Sequence, residues 1–569
     1  MADNVYKYSD FYGFFTKYSL LDDYGFFNGI KSRISHKILP EYVSEKSFEK
    51  FVLTKKWKHT DAANLITILN FDTIDSVQLK RDLFQSIIAL SSKITAIGLD
   101  KNIKYKLESL DIDMTIFPKL SQKCAQLEYE GIGELEKLIL NVSEVFQHFR
   151  LNKYKFGTSI QLTYKTKLAT KYLDRLLLLV QLYNDYKNPK IWTQLTREYI
   201  IEYKKHRSFL KYIEYHFDLV LLQVVEYTSL KGEKYISENR KEYFSFLKKS
   251  MLGGGLISLF AFFKVYFDST NSTIFNNALF FSLNYATCFV LVKSLGGIIA
   301  TKQPAMTAST ISKHVDSDND LTVDNAKCVI ELVKNTLRSQ FISFVGNVAV
   351  AIPVSILIFY LWHRYADKVL IDAKKVDILI NEISILNPIN LYYAAIAGVF
   401  LAIAGFISGN VNNKFVYGKI KHRIKDIFLF KKVFSPLALN KSSEWLERNF
   451  GAFVGNVSLG FFLGSAFLVG AFTIIPFDIR HIAFSASYLG ALALVKGIST
   501  KILLQCFAGV CMIGLFNFLV SFFITLSITL KTRGITAKQI KEAIAGLIRE
   551  FFKSPISFFY FTNSTKSKA

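Results

Sequence analysis

Four stretches without a single charged residue, at 339–362, 383–413, 449–477 and 502–530, constrain this chain more than anything else in it. About 20 apolar residues in helical form span the hydrocarbon core of a bilayer. Only helices and closed barrels can do so with every backbone group satisfied. Runs of this length therefore predict spanning helices. Two weaker runs, 250–268 and 274–298, carry Lys264 and Lys293. Each lysine lies toward one end of its run, where a long side chain can reach the interface. A shorter run at 481–495, "HIAFSASYLGALALV", is followed at once by Lys496. It predicts a dip that does not cross.

The region before about residue 250 reads differently. In "DSVQLKRDLFQSIIALSSKITAIG" and "TKLATKYLDRLLLLVQLYNDY" apolar residues recur at steps of three and four, with charges between them. That is the period of amphipathic helices, and no clean alternation suggests a sheet. The expected fold is all-α: a soluble helical domain over 1–248, a polytopic α-helical membrane bundle over 249–530, and a basic tail over 531–569. The opening "MADNVYKYSDFYGFF" has no basic segment followed by an apolar core, so a cleavable signal peptide is not expected. The five cysteines form no CxxC pair, which supports neither a disulfide framework nor a zinc site. Neither metal nor cofactor is expected.

Charge sets the orientation. Of the net +24, +9 falls in residues 1–250 (39 Lys+Arg against 30 Asp+Glu) and +15 in the remainder (31 against 16). A basic excess beside apolar runs orients a chain against anionic lipid. Lys414, Lys419, Lys421, Arg423, Lys425, Lys431, Lys432, Lys441 and Arg448 crowd one loop, which is expected to be cytoplasmic. The tail, with Lys531, Arg533, Lys538, Lys541 and Arg549, should lie on the same side. Both hold with six full spans plus the dip and both termini cytoplasmic. The expected partner is thus the lipid bilayer, with a DNA or protein partner for the basic helical domain.

The apolar half contains a repeat. "LRSQFISFVGNVAVAIP" begins at Leu337 and "LERNFGAFVGNVSLGFF" at Leu446, an offset of 109 that aligns the pentapeptides Phe344–Val348 and Phe453–Val457. A third Gly-Asn pair, Gly409 and Asn410, closes the fourth span. The first two copies open spans running the same way, which suggests a parallel repeat. Gly346 and Gly455 would let helices approach closely, and Asn347 and Asn456 would then bond across the contact or line a polar pathway.

Residues 284–309, "NYATCFVLVKSLGGIIATKQPAMTAS", resemble the signature of a multi-pass membrane family in bacteria named site-specific recombinases. "SGNVNNKF" from Ser408, "IPFDIRHIAFSAS" from Ile475 and "GLFNFLVSFFITLSITLKTRGI" from Gly514 are similar to other segments of that family, so the resemblance covers most of the chain. It implies an inner-membrane location and the recombinase label. The residues themselves do not supply recombinase chemistry. None of the nine histidines is followed by Arg at the third position, as a tyrosine recombinase requires. A serine recombinase needs an α/β catalytic domain, and the first half reads as helical. The one dense acidic cluster, "DSDND" at 316–320, reads as a turn that caps the following helix.

Two polar clusters remain as candidate sites at the membrane edge. In "LGGIIATKQPAMTAST" an apolar run breaks into Thr301, Lys302, Gln303, Pro304 and Thr307. Pro304 disfavours helix at Gln303, and Lys302 is expected to satisfy carbonyls freed at the end of the second span. At the opposite face, Asp478 and Arg480 can pair, leaving His481 as the group able to titrate near neutral pH. Three function classes stand open: the recombinase label, a transporter or lipid-handling protein, and a membrane scaffold.

Overall fold

The computed structural model describes residues 15–16, 76–127, 132–152, 156–157, 159–207, 213, 221, 236–237, 239–270, 272–299, 323–366, 369–473, 475–532 and 537–560. The chain divides into two units, Met1–Val220 and Leu221–Ala569. No strand occurs among the described residues, and the fold is all-α.

The first unit contains α1 (Ser76–Gly98), α2 (Lys101–Glu108), α3 (Ile116–Ala125), α4 (Ile132–Asn152), α5 (Ile160–Asn184) and α6 (Pro189–Arg207). α5 lies against α1, α4 and α6. The three- and four-residue apolar steps of α1 become its buried face, with Leu79, Leu83, Ile87, Leu90 and Ile94 all inside. Arg175 of α5 is fully buried there, where its guanidinium donates to the carbonyls of Phe15 and Leu195.

The second unit holds α7 (Arg240–Asp268), α8 (Ile274–Ser294), α9 (Val323–Tyr365), α10 (Ala373–Ile383), α11 (Ile389–Tyr417), α12 (Ile420–Asp426), α13 (Phe428–Val433), α14 (Pro436–Phe472), α15 (Ile482–Leu492), α16 (Thr500–Thr532) and α17 (Ala537–Lys553). Six of these, α7, α8, α9, α11, α14 and α16, are long and apolar enough to cross a membrane. Their starts are written in the sequence. Asn239 accepts from the Glu242 N–H at 2.9 Å ahead of α7, and Ser435 caps α14 with Pro436 at its first position.

The six helices form a ring. α9 packs on α7, α7 on α8, α8 on α14, α14 on α11 and α11 on α16. Phe518 and Phe522 of α16 close it against Val333 of α9. Glycine sets the closest approach between α8 and α14. A methyl group on Gly460 would lie 2.3 Å from the Ala286 nitrogen, and one on Gly464 2.2 Å from the Ser282 nitrogen.

Inside the ring stands α15, and every one of its residues is buried. It touches α7, α9, α10 and α16, and the Phe484 ring packs tilted on that of Tyr285 of α8, with centroids 4.3 Å apart. Its direction follows from its neighbours. Ile482 is at the level of Phe344 of α9 and Gly514 of α16, whereas Gly490 meets Ile352 and Ser355 further along α9. The chain thus leaves α14 at the end of the bundle where α7 finishes, which we call the distal end. It descends without helix through 475–481 to the middle, and α15 climbs back toward the same end. The segment is a hairpin within the bundle, with one extended limb and one helical limb.

Candidate functional site

The turn of this hairpin is held by one amide. Asn517, halfway along α16 and fully buried, donates to the Ala394 carbonyl at 2.8 Å and to the Arg480 carbonyl at 2.9 Å. Its oxygen accepts from the Ile482 N–H at 3.1 Å. The two backbone groups flanking His481 are therefore fixed by a single side chain. The descending limb is tied further by the Arg480 N–H on the Tyr393 carbonyl at 3.3 Å.

His481 lies at the bottom. It is 1% exposed, its ring sits 5.8 Å from that of Phe289 and 6.2 Å from that of Phe484, and neither imidazole nitrogen has a hydrogen-bond partner. It is also the residue preceding α15, where a side chain ordinarily accepts from the first-turn amides, and it makes no such bond. The sequence placed Asp478, Arg480 and His481 together at a membrane face. The descending limb instead carries them to successive depths, with side-chain exposure falling from 34% at Asp478 to 12% at Arg480.

Arg480 organises the upper part. Its Nη1 meets Asp478 Oδ2 at 2.5 Å, and Nη2 lies 3.7 Å from Glu382 Oε1 at the end of α10. Its Nε donates to the Glu382 carbonyl at 3.1 Å, and the guanidinium covers the Tyr393 ring at 5.1 Å. Asp478 and Arg480 pair as their spacing suggested, and Glu382 is a third member that the sequence did not indicate.

A second cation faces the same interior. Lys264 does not reach out to an interface as its place near the end of α7 suggested. The residue is half-buried, with its ammonium over the rings of Phe281, Tyr285 and Tyr488 at 5.4–5.6 Å. Glu382 and Asp478 are within electrostatic reach of it. Attraction to ring faces and carboxylates offsets the desolvation that favours snorkelling.

Two of the repeated Gly-Asn pairs lie at the level of the hairpin. Asn347 donates to the Ile298 carbonyl at 3.1 Å and Asn456 to the Phe289 carbonyl at 3.1 Å. In both copies the glycine faces a serine: a methyl on Gly346 would lie 2.9 Å from the Ser250 Cβ, and one on Gly455 2.8 Å from the Ser408 Cβ. The surroundings are not repeated, since α7 runs parallel to α9 and α11 antiparallel to α14. The third pair behaves differently. Gly409 is buried and Asn410 half-buried, while Asn412 presses its amide against Gly451.

Thr301, Lys302, Gln303, Pro304 and Thr307 lie outside the described residues. The helix before them ends earlier than the apolar run does. α8 stops at Ser294, Gly296 takes φ +78°, and the amides of Gly296 and Gly297 return to the carbonyls of Lys293 and Val292 at 3.2 and 2.8 Å. This is a Schellman end, which glycine permits because it has no Cβ. The carbonyls of Val292 and Lys293 are thus met by backbone. Gly296 serves the turn, where an added methyl would meet nothing within 4 Å, and Gly297 lies against α7, with an added methyl 3.4 Å from the Gly253 nitrogen. Ile298 then continues along α7, donating to the Lys249 carbonyl at 3.0 Å.

Among the described residues no group of three or more His, Cys, Asp or Glu could hold a metal ion. No curated protein and no solved structure matches the chain. A family model described as site-specific recombinase matches residues 2–560, nearly its full length, in agreement with the resemblance of the motifs. The chain therefore belongs to the site-specific recombinase family.

Proposed function

We propose that this chain is a multi-pass protein of the bacterial inner membrane, with both termini cytoplasmic, and that its helical ring carries a small polar solute along the re-entrant hairpin. The observation that supports carriage is the hairpin itself. Irregular backbone at bilayer depth is tolerated where it is enclosed by protein or lines a polar path, and half-helices of this kind form solute sites in transporters. Ionisable groups placed there are costly and mark pathways. Asp478, Arg480, Lys264 and His481 all face the interior that six apolar helices surround. The basic loop 414–448 supports the orientation, because it joins α11 to α14 at the end away from the hairpin mouth.

The family's name speaks for DNA strand exchange, and the residues do not. The polar groups gathered by the fold lie between apolar helices, where no duplex can reach them. The test is thiol accessibility in a cysteine-free background in spheroplasts. Cysteine at Ser485, buried on α15, should react with a small charged methanethiosulfonate from outside, as should cysteine at Lys374, whereas cysteine at Lys421 should not. An unreactive position 485 overturns the path, and labelling at 421 overturns the orientation. Covalent protein–DNA adducts formed by the purified chain would restore the recombinase reading.

A further inference from the structure

We propose that the N-terminus of α15, closed by His481, binds a small monovalent anion in the middle of the bundle, and that this class of anion is the solute carried. The inference rests on the carriage reading above and adds the chemistry of the solute. Two independent observations meet at this point. The first is the helix start. In α15 the Ile482 N–H is taken by Asn517, and the first intrahelical bond runs from the Ser485 N–H to the His481 carbonyl. The amides of Ala483 and Phe484 lie ahead of that bond, at the positive end of the helix dipole. The second is the imidazole. At 1% exposure both of its nitrogens are without partners, and leaving a buried polar group unmet is costly. A neutral imidazole offers one N–H donor. It stands at the same helix start as the two backbone amides, and among the described residues nothing accepts from it.

The surroundings bear on the charge. Phe289 and Phe484 flank the ring. The helix end contributes roughly half a unit of positive charge, which favours one negative charge over two. Arg480 cannot supply more, since its guanidinium is committed to Asp478 and Glu382. Lys264 lies over the Tyr285 ring, which packs at a tilt on Phe484 beside the site.

The experiment uses the full chain in lipid nanodiscs. Thermal unfolding is followed in sodium chloride, sodium formate and sodium gluconate at equal ionic strength, and ³⁵Cl line broadening reports binding directly. The expected result is a Tm several degrees higher in chloride or formate than in gluconate, because a ligand that binds only the folded state raises its stability. His481→Phe keeps a ring of similar size, removes both unpaired nitrogens and should abolish this response with an unchanged or higher Tm in gluconate. His481→Gln, which keeps a donor, should weaken it at least tenfold in apparent affinity. Equal Tm in all three salts for the wild-type chain, or an undiminished response in His481→Phe, overturns the anion site. The two readings separate through position 485: labelling there without an anion response refutes the anion alone, and an anion response without labelling there refutes carriage.

Discussion

Replacing Asn517 by Leu should unfasten the hairpin. The side chain makes three hydrogen bonds, to the Ala394 carbonyl, the Arg480 carbonyl and the Ile482 N–H, at 2.8–3.1 Å and with no exposure to solvent. Hydrogen bonds measured inside membrane proteins average about 0.6 kcal/mol, so three set a floor of about 2 kcal/mol. If each partner is left buried and unmet at about 1–3 kcal/mol, the ceiling is about 9 kcal/mol. The true figure should fall toward the floor, because the descending limb is extended chain that can shift and find other partners, whereas the Ala394 carbonyl lies within a helix. We expect about 2–4 kcal/mol, read by unfolding titrations in mixed micelles. Leu is chosen over Ala so that a cavity does not add its own penalty. The chain should remain assembled, and a cysteine at Ser485 should become more reactive as the turn loosens. A loss below about 1 kcal/mol, with reactivity at 485 unaltered, would refute the claim that this amide holds the turn.

The glycine contact between α8 and α14 makes a sharper expectation. Gly464→Leu, which drives a side chain into the Ser282 backbone, should abolish the folded yield, whereas Gly255→Ala, with only Val350 at 3.6 Å, should be neutral in Tm. In the first unit, burial pushes the Cys124 thiol up to about 12, so alkylation at pH 8 should require unfolding and be detected only in denaturant. Burial raises the Asp100 carboxyl, but the Lys165 ammonium at 2.7 Å and the Asn102 amide at 3.1 Å outweigh it and hold it below the usual range. A depressed carboxylate stabilises the fold above its unfolded value and loses that contribution as pH falls through the folded value. Hydrogen exchange at α2 should therefore be faster in Lys165→Met than in wild type at pH 7, and the difference should vanish in strong acid.

The sequence was most legible where chemistry is local. Four charge-free runs and two weaker ones located the six long helices, because bilayer length is a one-dimensional constraint. Asp478 and Arg480, two residues apart, paired as their spacing allows. Depth was not legible. An extended limb advances about 3.3 Å per residue, so the step from Asp478 to His481 moves from the mouth to the interior, which a hydropathy window averages away. Asn517 looked like one amide in an apolar run because two of its partners, Ala394 and Arg480, are 123 and 37 residues distant. Lys264 turned inward for the same reason: its rings come from α8 and α15. The end of α8 at Ser294 escaped because Gly296 reads as apolar filler unless its positive φ is known.

The contrast between Asn517 and His481 argues for function more strongly than either residue does separately. The two meet at the same level of the same bundle, and both are buried. Three polar bonds satisfy Asn517, and none satisfies His481. A fold shaped by stability alone would treat them alike, because an apolar ring of similar volume at position 481 would avoid the desolvation of two nitrogens. Sites of chemistry are where such local rules are broken and offset elsewhere. Here the offset is visible in the clamp beside it: Asn517 fixes both backbone neighbours of His481, so the imidazole is held in place without using its own nitrogens. The opposite signs expected of the two substitutions follow directly. Asn517→Leu should lower Tm, and His481→Phe should hold or raise it while abolishing the response to small anions. If both substitutions destabilise the chain to the same degree, His481 is one more packing residue, and the hairpin is a closed piece of the core.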